Sequence, residues 1–182
     1  MDLRRDAYLG AAEMGLGIAG VAEQLGRPAV ATVGSVQLAP GAVNVVPGEA
    51  VFTLDTRHPD PETLRDMVER IRALCQDVAQ RRGLKLEWAP WMQEEPQPMD
   101  ASLRGLLERC ADDLGIQWKS MVSGAGHDSQ VMARHVPTAM IFVPSWEGHS
   151  HSPDEHTPPE QMVPGVRVLA EALRRLAYVA SP

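Results

Sequence analysis

The sequence predicts an α/β protein in two units. Three observations carry this reading. Apolar residues recur at helical spacing in several long stretches, and runs rich in β-branched residues lie between them. The stretch QEEPQPMD, residues 93–100, is polar and holds two prolines, which sets the boundary between units 1–93 and 94–182. The first unit reads α-β-β-α-β and the second alternates α and β.

Residues 2–25 are predicted helical, with Met14, Ile18, Val21 and Leu25 on one stripe. Glycines at 10, 15, 17 and 20 weaken this helix by up to about 1 kcal/mol each relative to alanine, unless they permit close packing. The tripeptide GRP at 26–28 stops it. AVATVGSVQL and EAVFTLDTRH are two predicted strands around the turn-forming APGAVNVVPG. DPETLRDMVERIRALCQDVAQRRG is the clearest helix, with Pro61 in its first turn and one stripe through Leu64, Met67, Val68, Ile71, Cys75 and Val78. LKLEWAPWM alternates as a strand does.

In the second unit a helix is expected at about 101–115, a short strand at 117–122 and a helix after GAGHD. PTAMIFVP is expected to be a buried strand. The last helix, about 159–179, is expected to turn Val166, Leu169, Leu173 and Leu176 inward. The first unit, starting on a helix, holds one strand fewer than the split β-α-β pattern, so the chain is expected to begin within a domain.

Composition excludes several function classes. A length of 182 residues supports one good core or two small ones, and 44% hydrophobic residues with 23% charged is ordinary for a globular protein. A net charge of -7 argues against nucleic acid or an anionic membrane as partner. No run approaches the 18 or so apolar residues of a membrane span. The N-terminus MDLRRDAYLG has no apolar signal core, and a cytoplasmic location is expected. Cys75 and Cys110 read as buried reduced thiols.

Three places could carry chemistry. Histidines 149, 151 and 156 crowd into SWEGHSHSPDEHT, where His151 follows a predicted strand and could ligate a metal. Their spacing does not make a complete local site, and a polar surface loop reads equally well. In SGAGHDS, residues 123–129, small residues before a helix expose backbone N–H groups that suit a carboxylate or oxyanion, with His127 and Asp128 at the helix entrance. Simple capping by Asp128 is the alternative. Asn44 lies in the hairpin turn and Arg57 ends the second strand, where a guanidinium can grip a carboxylate bidentately or sit in a surface ion pair. Glu94 and Glu95 lie in the polar linker and read as solvated.

MDLRRDA, GAVNVVPGEAVFTLDTRHPD, SGAGHDSQVMARHVPTAMIFVP and GHSHSPDEHT together resemble the C-terminal half of a family of metal-dependent amidohydrolases. That family includes allantoate amidohydrolase, N-carbamoyl-L-amino-acid hydrolase and β-ureidopropionase, within the wider di-metal aminoacylases and carboxypeptidases. The resemblance implies a partial ferredoxin-like lid domain, which dimerises, followed by the C-terminal portion of an α/β di-metal hydrolase domain. It implies that His151 is a metal ligand, that His127 contacts substrate in catalysis, and that Asn44, Arg57, Ala125 and Gly126 bind substrate, partly across a homodimer. It implies two zinc or manganese ions in the intact enzyme. His149 and His156 depart from the family pattern and are not assigned as ligands.

The family's other metal ligands, its Glu-Glu pair and its HAGTTPM stretch are not found in the sequence, and Met1 aligns with the methionine closing that stretch. The chain is therefore expected to act on small ureido or N-carbamoyl acids only as part of a larger site, and to bind metal weakly and be inactive alone. The alternatives are a non-catalytic dimerisation or regulatory module, and an aminoacylase or dipeptidase of the wider family.

Overall fold

The computed structural model describes residues 1, 3–150 and 152–178. It is a mixed α/β structure with one small two-stranded sheet, and it divides into two compact units, Met1–Pro96 and Gln97–Pro182.

The first unit opens on helix α1, Ala7–Leu25. The helix starts later than its apolar stripe suggests, because the Asp6 carboxylate accepts the Leu9 N–H at 3.1 Å and caps it there. Strands β1, Val30–Ala39, and β2, Glu49–Arg57, pair antiparallel from Val30↔Arg57 to Ala39↔Glu49. The register is irregular between Val33 and Val36, where the Ser35 N–H donates to Thr53 Oγ1 at 3.1 Å. Helix α2, Pro61–Arg81, has Asp60 as its cap, with the carboxylate accepting the Thr63 N–H at 2.7 Å.

Both helices lie on one face of the hairpin. Met14, Ile18, Met67, Ile71 and Cys75 form the core, with Phe52 and Leu54 of β2 packed against it. Burial pushes the Cys75 thiol pKa up, so it remains a neutral, apolar filler. Two glycines of α1 allow the close approach: a Cβ on Gly17 would meet Leu74 Cδ1 at 2.6 Å, and one on Gly10 would collide with Leu84. Glu13 ties the helices by accepting from Arg81 and Arg82, each at 2.6 Å.

The predicted strand over LKLEWAPWM is not part of a sheet. Leu84, Leu86 and Trp88 do pack alternately on the core, but the segment has no ladder partner among the described residues. Alternation fixes which side chains face inward; a strand also needs a neighbour for its N–H and C=O groups.

In the second unit helix α3, Ala101–Asp113, packs on helix α5, Pro159–Tyr178, through Cys110, Ala111, Val168 and Ala172. Arg175 crosses between them, donating to Glu171 and to Asp113, each at 2.7 Å. A short helix α4, Asp128–Met132, falls between them in chain order. The strands predicted at 117–122 and 137–144 do not form, and Ile141, Phe142 and Val143 are exposed. The inward stripe predicted for α5 also fails: Val166, Leu169, Leu173 and Leu176 are 63%, 48%, 57% and 48% exposed, while the buried residues are Val168 and Ala172. The apolar surface of α5 is wider than the single neighbour α3 covers.

Among the described residues no helix is long and apolar enough to cross a membrane.

Candidate functional site

In the first unit Arg57 closes β2 on the solvent-facing side of the hairpin. Strand alternation puts Asp55 on the same side, two residues earlier. The guanidinium grips it bidentately, Nε to Oδ1 at 2.8 Å and Nη2 to Oδ2 at 2.9 Å. These hydrogen bonds hold the Asp55 carboxyl below its ordinary pKa and raise that of Arg57. Both side chains are about half exposed, so the pair is worth about 1 kcal/mol or less. Asp55 was not singled out from the sequence, although the Asp-x-Arg spacing in LDTR carried the signal.

Asn44 is exposed in the β1–β2 connection. That loop is closed by the Gly48 N–H donating to the Ala39 carbonyl at 3.0 Å and anchored by the Ala7 N–H on the Pro47 carbonyl at 3.1 Å. Arg57 stands beside Val30 at the other end of the hairpin. Eight strand steps from Glu49 to Arg57 make this separation about 25 Å. One copy of the hairpin thus does not bring Asn44 and Arg57 together.

In the second unit His127, rather than Asp128, is the cap of α4, and Asp128 lies in its first turn. The His127 Nδ1 accepts the Ser129 N–H at 3.1 Å. A nitrogen that accepts carries no proton, so the ring's donor is assigned to Nε2. Ala125 and Gly126 immediately precede it on an exposed loop, which is tied by Ser123 Oγ donating to the Ala125 carbonyl at 3.0 Å. Nothing crowds Gly126: a Cβ there would meet no atom within 4 Å.

The histidine-rich loop is closed by the Trp146 N–H donating to the His156 carbonyl at 2.7 Å. His149 lies 3.8 Å from Glu147, which has φ of 50°, and its Nδ1 is buried without a hydrogen-bond partner among the described residues. His151, the expected metal ligand, lies outside the described residues. Among the described residues no group of three or more His, Cys, Asp or Glu side chains is placed to hold a metal ion. The described donor set therefore does not by itself fit the di-metal centre that the resemblance implies.

Comparison with known proteins covers nearly the whole chain. Residues 8–175 match the model of peptidase family M20/M25/M40. An allantoate amidohydrolase of Escherichia coli is 40% identical over 161 residues, covering 86% of this chain and 38% of that protein. A ureidoglycolate hydrolase of Oryza sativa subsp. japonica is 38% identical over 179 residues, covering 97% of this chain and 37% of that protein. A crystal structure of an amidase of the hydantoinase/carbamoylase family from Burkholderia multivorans superposes with a TM-score of 0.90 at 34% identity, over 95% of this chain and 42% of that one. The chain thus spans about two-fifths of the length of the relatives it matches. With the family model matched from the first turn of α1 into the last turns of α5, the chain belongs to peptidase family M20/M25/M40.

Proposed function

We propose that this chain is part of a metal-dependent amidohydrolase that cleaves a C–N bond in small ureido or N-carbamoyl acids. Its first unit is the lid, or dimerisation, domain, and its second is the C-terminal portion of the catalytic domain. The observation that carries this is the 38% identity to a ureidoglycolate hydrolase over 97% of the chain, a span that takes in Asn44, Arg57 and His127.

The residue chemistry agrees with such a substrate. A ureido acid offers a carboxylate and a carbonyl flanked by nitrogen. The planar fork of Arg57 suits the carboxylate, which would replace Asp55 on the guanidinium. The amide of Asn44 both donates and accepts, as a ureido group requires. The N–H groups of Ala125 and Gly126 offer further donors to the substrate carboxylate. The Nε2–H of His127 is a donor for the scissile carbonyl as negative charge develops on its oxygen.

The loop that holds Asn44 leaves the sheet at Glu49, eight strand steps or about 25 Å from Arg57 and farther than a small ureido acid reaches, which supports the supply of the two residues from two copies of a homodimer. Members of the family generally depend on a divalent metal. His151 would give this chain's ligand to it, and the remaining ligands would lie outside the described residues.

A substrate panel tests the reading. An assembled enzyme containing this chain should release ammonia from allantoate, ureidoglycolate or an N-carbamoyl-L-amino acid, and should leave N-acyl amino acids and dipeptides intact. His127→Asn, which preserves a capping acceptor but lacks the imidazole donor, should lower kcat by about 100-fold or more. Turnover of N-acyl amino acids or dipeptides alone would assign the chain to an aminoacylase or dipeptidase instead.

A further inference from the structure

We infer that Asp55 is a specificity-determining residue whose carboxylate accepts the N–H of an α-ureido acid, one with its ureido nitrogen on the carbon that bears the carboxylate. The inference rests on the reading of Arg57 as a carboxylate binder and deepens it. It narrows the substrate class to α-ureido acids and sets β-ureido acids apart.

The first observation is the geometry of the pair. Asp55 and Arg57 project from one side of β2, and both Asp55 oxygens accept from the guanidinium, at 2.8 and 2.9 Å. These hydrogen bonds hold the Asp55 carboxyl below its ordinary pKa, so it stands as an anion that accepts and cannot donate. A negative charge is thus fixed against the very group that would receive the substrate carboxylate.

A second observation concerns the other polar groups on that side of the hairpin. Thr53, two residues before Asp55, is committed to Ser35: its Oγ1 accepts the Ser35 N–H at 3.1 Å and lies 3.2 Å from Ser35 Oγ. Thr32 stands across the ladder from Asp55. Among the described residues Arg57 is the side chain that donates to the Asp55 carboxylate.

A substrate carboxylate arriving on Arg57 therefore meets two costs. It brings a second negative charge against Asp55, and it takes away the two hydrogen bonds that Asp55 accepts. A ligand that carries only its carboxylate offsets neither. One N–H beside that carboxylate offsets both, because it gives Asp55 a new donor and places a positive dipole between the two anions. In an α-ureido acid the N–H is one carbon from the carboxylate, so a ligand seated on Arg57 holds its donor next to Asp55. The added methylene of a β-ureido acid carries the N–H past it.

The test uses an assembled enzyme containing this chain and two ligands of one shape. N-carbamoylglycine has the α N–H, and succinamate has a methylene in its place. Each is measured as a competitive inhibitor of the turnover of another ureido acid. For the parent, the inhibition constant of N-carbamoylglycine should lie about tenfold or more below that of succinamate. Asp55→Ala should bring the two within about twofold, and Asp55→Asn, which keeps a carbonyl acceptor, should preserve most of the difference. Misorientation of Arg57 alone would weaken both ligands alike and leave their ratio unmoved. 3-Ureidopropionate should rank with succinamate, and its ranking with N-carbamoylglycine would overturn the α restriction. A parent ratio near one would overturn the inference, as would a tenfold ratio that survives Asp55→Ala, while turnover of ureido acids would leave the functional reading standing. No turnover of any ureido acid would overturn that reading, and this inference with it.

Discussion

Arg57 holds Asp55 in a two-bond grip at 2.8 and 2.9 Å, from two positions earlier on the same strand face. In the proposed binding role the arginine's fork would be oriented in advance by this partner, which is half exposed and weak enough to be displaced. Lysine cannot reproduce a planar fork, so Arg57→Lys should lower kcat/KM of the assembled enzyme by about 2 kcal/mol, roughly thirtyfold. Asp55→Asn removes a competitor worth about 1 kcal/mol or less, so KM for carboxylate substrates should fall by no more than about fivefold. Steady-state kinetics on substrates with and without a free carboxylate checks both. Parent-like kinetics for Arg57→Lys would remove Arg57 from the binding role.

The 182-residue chain alone should hydrolyse neither allantoate nor N-carbamoyl amino acids with zinc or manganese present. A catalytic zinc takes three protein ligands, and this chain is expected to bring one, His151. Ammonia release would be measured over hours at high chain concentration. Turnover that His151→Ala abolishes would show that the chain completes a site by itself.

Acid should loosen the second unit through Glu171. Hydrogen bonds from Arg174, and then from Arg175, hold its carboxyl at about 2, below its ordinary 4.5. Arg175 also bonds Asp113 of α3, so this carboxylate belongs to the link between α3 and α5. A group whose pKa is depressed in the folded state contributes stability above its unfolded value and loses it as pH falls through the folded one. The contribution of Glu171 is therefore present above pH 4.5 and fades toward pH 2. The Tm gap between parent and Glu171→Gln should be widest near neutrality and close across that window. A gap independent of pH would mean that the ion pairs carry no stability.

Two glycines in one helix should respond in opposite directions. A Cβ at Gly15 meets nothing within 4 Å, so Gly15→Ala should stabilise by up to about 1 kcal/mol through helix propensity alone. A Cβ at Gly17 would meet Leu74 Cδ1 at 2.6 Å and Cδ2 at 2.8 Å, so Gly17→Ala should destabilise by about 1–3 kcal/mol. Urea titrations of the two variants decide it, and equal shifts would show that Leu74 turns aside without cost.

The sequence by itself determined the elements that depend on neighbours a few residues away. Helical stripes located α1, α2, α3 and α5, and the turn chemistry around Asn44 located the hairpin. Four ordered motifs pointed to the family that residues 8–175 then matched. Capping was legible only in part. Asp60 and Asp100 stand where a helix start needs an acceptor, yet His127 took the capping position that one of the two readings of SGAGHDS gave to Asp128. Tertiary structure decided whatever needs a distant partner. Leu84, Leu86 and Trp88 alternate as a strand would, and residues 139–143 are apolar throughout, but neither segment has a neighbour among the described residues to complete a ladder. Val168 and Ala172 became the buried face of α5, rather than Leu169 and Leu173, because α3 packs on that side. The separation of Asn44 from Arg57 likewise follows from the register of β1 on β2. Periodicity states which side of an element is apolar. What covers that side is fixed by residues far along the chain, or beyond it, and a local pattern carries no record of them.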